Sequence, residues 1–91
     1  MRREVTVVPE AGLHARPAAK FVEAASEYDI EITVKKQGSD EDPVDAHSML
    51  AVTSLGAHEG DVVVIAAEGD GAAQVLDRLE EILSTPEGDT G

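Results

Sequence analysis

The sequence predicts an α/β (α+β) fold, a two-layer sandwich in which three helices cover one face of a four-stranded antiparallel sheet. Three observations predict it. The 91 residues suffice for one core and are too few for two. Apolar patterns of period two and of period near 3.6 follow one another as strand, helix, strand, strand, short helix, strand, helix, or βαββαβα. Each helical pattern has a single apolar stripe, so one face of one sheet buries them all.

Glu4 to Val8 is a β-branched run ended by Pro9 and Gly12, which predicts a first strand and a loop. From Ala15 to Tyr28 the period turns helical. Ala18, Phe21, Val22, Ala25 and Tyr28 share one stripe, and Lys20, Glu23, Ser26 and Glu27 face away. Pro17 lies near the start, where a missing N–H breaks no helical bond. Ile30 to Lys36 alternates with Ile30, Ile32 and Val34 inward, a half-buried strand. Gln37 to Pro43 is a charged turn that blunts a sheet edge, and Val44 to Ala46 fits a short returning strand.

Ser48 is placed to cap a short helix carrying Met49, Leu50, Val52 and Leu55, which Gly56 ends. Asp61 to Ala67 is almost continuously apolar, as expected of a strand inside a sheet. Asp70 is expected to cap the last helix, whose apolar face is Ala72, Val75, Leu76, Leu79, Ile82 and Leu83. Glu4, Thr6, Glu31 and Thr33 alternate outward and leave the second sheet face to solvent, which favours antiparallel pairing. A single domain over residues 1–85 holds every element, and 86–91 reads as a flexible tail.

Charge narrows the function. Nineteen acidic residues against seven basic ones give −12. Nucleic-acid binding by phosphate neutralisation needs a basic footprint that is missing here, and Phe21 and Tyr28 are the only aromatics for base stacking. The absence of cysteine removes disulfides, thiol nucleophiles and Cys-ligated zinc. No apolar run approaches a membrane span and the first residues lack a signal-peptide core, so a cytoplasmic protein without membrane insertion is expected. Self-repulsion at −12 costs stability unless salt screens it, which is a hint of a high-salt cytoplasm; the other reading is an ordinary acidic surface, and composition does not separate the two. The melting temperature is accordingly expected to rise by about 5 °C or more between dilute buffer and molar salt. A flat response would leave the acidity without this physical account.

Gly12-Leu13-His14-Ala15-Arg16-Pro17-Ala18 is the stretch that carries chemistry. It sets an imidazole at the N-cap of a helix and a guanidinium in the first turn. The first N–H groups of a helix lack internal partners and point outward at the positive end of the dipole. An anion there gains about 0.3–1 kcal/mol from the dipole alone, and more from direct N–H contacts. Arg16 adds a forked donor suited to phosphate oxygens. The same positive surroundings favour a neutral, nucleophilic His14. Such an imidazole beside a phosphate cradle is equipped to accept a phosphoryl group and pass it on. A lone histidine would read as a simple loop cap; Gly12, Arg16 and Pro17 around it make the carrier reading the stronger one.

This segment closely resembles the active-centre motif of HPr, the histidine phosphocarrier family of the phosphoenolpyruvate-dependent sugar phosphotransferase system. The resemblance extends over nearly the whole chain and includes a second signature, His47-Ser48-Met49-Leu50-Ala51-Val52-Thr53-Ser54-Leu55-Gly56. It implies an open-faced sandwich with sheet order 1-4-2-3, phosphorylation of His14 on Nδ1, and a phosphate site of Ala15, Arg16 and Pro17. It implies enzyme I as donor and enzyme IIA domains as acceptors, a monomeric carrier rather than an enzyme, and no cofactor. Ser48 matches a serine that a kinase phosphorylates in some members, while its residue type alone is explained by capping. Partner docking is expected from Leu13, Lys20, His47, Met49, Leu50, Val52 and Thr53.

Two readings stand beside this one. The same relay would serve a dihydroxyacetone kinase system, or the fold would act as a regulatory module with His14 unmodified. The chain also departs from the family in two places. Lysines that meet acidic partners in many members are replaced here at Glu23, Ser26, His47 and Ala51, which weakens charge steering. The acidic turn from Gly38 to Pro43 is a few residues longer than usual. No metal is expected: His14, His47 and His58 lack ligand spacing, and Asp40, Glu41, Asp42 and Asp45 lack that of a calcium loop. Gly69-Asp70-Gly71 is too short for a nucleotide loop.

Overall fold

The computed structural model describes residues 1–86. Seven elements follow in order: β1 (Arg2–Thr6), α1 (Ala15–Ser26), β2 (Glu31–Lys36), β3 (Val44–Asp45), α2 (Met49–Thr53), β4 (Val62–Glu68) and α3 (Ala72–Ser84). The sheet order is β1-β4-β2-β3, and every pairing is antiparallel. β4 thus lies between β1 and β2, with Val5 opposite Val63 on one side and Val34 opposite Ile65 on the other. That central position explains its apolar run. Val63, Ile65 and Ala67 face the core, and Val62, Val64 and Ala66 on the other face are half-buried between the neighbouring strands, so both faces favour apolar side chains.

One sheet face and three helices enclose the core. Val5, Ile32, Val34, Val63, Ile65 and Ala67 from the strands meet Ala18, Phe21, Ala25, Val52, Val75, Leu76, Leu79 and Leu83 from the helices. α1 packs against α2 and α3, and α3 against β1 and β4. Arg2, Glu4, Thr6 and Glu31 are exposed on the opposite side, as the alternation requires. Arg3 clamps β1 to α3 by pairing with Asp77 and Glu80. These carboxylates, the Asp77 hydrogen bond first, raise the guanidinium pKa further above its ordinary value. No helix among the described residues is long and apolar enough to cross a membrane.

The structure revises several expected boundaries. The first strand ends at Thr6, not Val8. Val7 N–H instead donates to the Asp61 carbonyl (2.8 Å) and Val8 N–H to that of Leu83 (2.9 Å), so the two valines leave the ladder despite their β propensity. α1 stops at Ser26, short of Tyr28, and α2 at Thr53. Asp70 is not the cap of α3; that position is Gly71, at φ +88° with no side-chain capping bond. A left-handed backbone at the cap suits glycine, and it displaces Asp70 one residue outward into solvent. Most of the expected tail, residues 87–91, lies outside the described residues.

Candidate functional site

The site is built where the β1–α1 loop crosses the turn before β4. Gly12 makes this crossing possible. Its φ is +74°, and a Cβ on it would lie 2.6 Å from the Ala57 carbonyl oxygen and 2.9 Å from His58 Cα. Next to it, Leu13 N–H donates to that same Ala57 carbonyl (3.0 Å), and the Leu13 side chain is completely buried. A backbone bond and a buried leucine therefore fix the chain just before His14.

His14 is the N-cap of α1, with extended backbone (φ −136°, ψ 168°). Its carbonyl accepts from Ala18 N–H at 3.3 Å, while its ring makes no capping bond. The half-buried imidazole is thus left for chemistry instead of being spent on the helix. Ala15 follows at φ +49°, a left-handed conformation for a residue with a Cβ, which costs about 1 kcal/mol. This strain sits between the imidazole and the guanidinium. Ala15 and Arg16 are exposed, and as first residues of the helix their N–H groups have no intrahelical acceptor.

Pro17 does not fit the phosphate-binding part expected of it. It is buried and has no N–H to donate, so its contribution is a fixed φ inside the first turn. The docking set also changes. Leu13 and Val52 are fully buried and cannot meet a partner; they hold the loop and the short helix to the core. Met49 and Leu50 are exposed, Leu50 at 78%, an unusual fraction for a leucine and the most apolar exposed surface near the second motif. Thr53 closes α2 by donating to the carbonyls of Met49 and Leu50. Lys20 is exposed and lines a shallow groove between α1 and α3 with Glu23, Arg78 and Glu81.

Ser48 is the N-cap of α2, its Oγ accepting the Ala51 N–H at 3.2 Å. His47 Nε2 lies 3.0 Å from the Ile30 carbonyl, so this nitrogen donates, and its ring is tethered at the end of β2. Among the described residues no group of three or more His, Cys, Asp or Glu is gathered to hold a metal ion.

Sequence reasoning missed one neighbour of the site. The His58 ring stands 5.9 Å from that of His14, centre to centre, at 53°. Its turn is closed by Asp61, whose Oδ2 accepts the His58 backbone N–H at 2.9 Å. This bond outweighs the opposing effect of burial and, with the lesser help of the charges of Lys36 and His58, holds the Asp61 carboxyl below its ordinary pKa. No local pattern announces the pair, since the two histidines meet only when β4 returns between β1 and β2.

Comparison with known proteins places these features in a family. The family model described as the PTS HPr component phosphorylation site matches residues 1–85. The chain is 56% identical to phosphocarrier protein HPr of Haloferax volcanii, over 96% of this chain and 97% of that one. It is 44% identical to the HPr of Streptomyces coelicolor, over 90% and 86% of the two chains. The crystal structure of a phosphocarrier protein HPr from Bacillus anthracis superposes with a TM-score of 0.84 at 32% identity, covering 92% of this chain and 96% of the other.

Proposed function

The chain belongs to the HPr family of phosphocarrier proteins, and from that premise we propose that it takes a phosphoryl group from phospho-enzyme I onto His14 and delivers it to an enzyme IIA domain. The process served is phosphoenolpyruvate-dependent sugar uptake, in the cytoplasm, by a monomer. The observation that carries this reading is a half-buried imidazole at the α1 N-cap that makes no capping bond, on the residue just before the first helical N–H groups, which lack helical acceptors.

In the proposed transfer the lone pair of His14 Nδ1 forms the N–P bond as the bond from phosphorus to the donor breaks. The three phosphoryl oxygens then face the Ala15 and Arg16 N–H groups and the positive end of α1. The exposed Arg16 guanidinium supplies the full charge that a helix end lacks. The N–P bond is labile, so the group leaves as readily as it arrives. Docking is assigned to the exposed Met49 and Leu50 with Lys20 and Thr53, and the apolar pair stands in for lysine steering. Ser48 is assigned to capping, a task its hydrogen bond with Ala51 accounts for.

Incubation with phosphoenolpyruvate and the cognate enzyme I tests the proposal. One acid-labile, base-stable phosphoryl group per chain is the expected product, read by intact mass at neutral pH. No adduct on the folded chain would overturn it. Arg16→Glu is expected to slow transfer by about ten- to hundredfold without moving the melting temperature, because the side chain is exposed. Equal rates for that variant would remove Arg16 from the phosphate site.

A further inference from the structure

His58 stands beside His14 for backbone reasons. The Leu13–Ala57 hydrogen bond (3.0 Å) and the contact of Gly12 with the Ala57 and His58 backbone lock one loop onto the other. The two rings are left 5.9 Å apart on the outside of that junction. The His58 side chain is 73% exposed and its Nδ1 lies 3.8 Å from Asp61 Oδ2, so the ring takes no part in the core packing.

Resting on the reading that His14 carries the phosphoryl group, we propose that His58 is a phosphoryl-positioning residue whose protonated ring faces the phosphate on His14 and links the phosphorylation equilibrium to pH. The charges around it set the sign. Asp61 and Glu59 are the carboxylates of its own turn, and Lys36 on β2 is the nearby cation, 3.7 Å from Asp61 Oδ2. His14, at the N-cap of α1, gains a dianion on phosphorylation. An imidazolium separated from a dianion by about 5 Å of mostly aqueous medium gains about an order of magnitude in its protonation equilibrium. Phosphorylation of His14 therefore takes up a proton at His58. By reciprocity, falling pH favours the phosphorylated carrier.

The test is the equilibrium of the wild-type chain, His58→Gln and His58→Lys with phosphoenolpyruvate, pyruvate and catalytic enzyme I. It is run between about pH 6 and pH 8.5, at the lowest salt in which all three chains are fully folded. The wild-type equilibrium constant divided by that of His58→Gln is expected to climb from near one at the alkaline end to about five- to tenfold at the acid end. His58→Lys, a permanent cation, exceeds His58→Gln by a similar factor at every pH. A merely structural His58 moves neither pattern. A ratio of one throughout, with all three chains phosphorylated on His14, overturns the inference and leaves His14 as the acceptor. Failure of every chain to be phosphorylated overturns both.

Discussion

Replacing His14 by alanine abolishes the acid-labile adduct and lowers phosphoryl transfer by at least about four orders of magnitude, with the fold intact. Both halves of this expectation come from the same geometry. The ring makes no capping bond and is half-buried at an N-cap, so its removal opens no cavity and strands no polar partner. The melting temperature is expected to move by about 3 °C or less. The chemistry, by contrast, has no substitute nearby. His47 precedes α2 and His58 lies in the turn before β4, so neither is the N-cap residue of α1. Phosphorylation of the alanine variant at wild-type yield, located by mass on a neutral-pH digest, would place the acceptor elsewhere and end the proposal.

What could be read in advance follows a physical line. β4 was legible because a strand buried on one face and half-buried on the other shows as a continuous apolar run, and Ser48 because a hydroxyl in front of an apolar turn is a cap by chemistry alone. The helix faces of α1 and α3 were legible because three turns are enough to display a period. α2 has five residues, too few for a period to show. Val52 therefore looked like a docking residue, although it points into the core while neighbouring Leu50 stands in solvent. Leu13 lies in a loop, where burial depends on what the loop crosses and not on spacing. Non-local closeness was the least legible of all. The His14–His58 pair and the left-handed Ala15 arise from how the β1–α1 loop is pressed against Ala57, which no segment of sequence encodes by itself.

That pressed junction predicts the largest stability effect. Gly12→Val is expected to destabilise the domain by about 3 kcal/mol or more, a fall of about 15 °C in melting temperature for a chain of this size. Two costs combine. A left-handed φ of +74° costs a residue with a Cβ about 1–2 kcal/mol. The added carbon would also lie 2.6 Å from the Ala57 oxygen and 2.9 Å from His58 Cα, both backbone atoms that cannot swing aside. Gly38 separates the two, because its φ is +84° and a Cβ there would meet nothing within 4 Å. Gly38→Ala therefore reports the conformational cost alone, and Gly12→Ala reports that cost plus the collision. If the junction positions the imidazoles, the Gly12 variants also transfer phosphate more slowly per folded molecule, while Gly38→Ala transfers at the wild-type rate. Equal losses of stability at the two glycines, with equal transfer rates, would mean that the loop relaxes around the new carbon and that Gly12 is there for backbone freedom only.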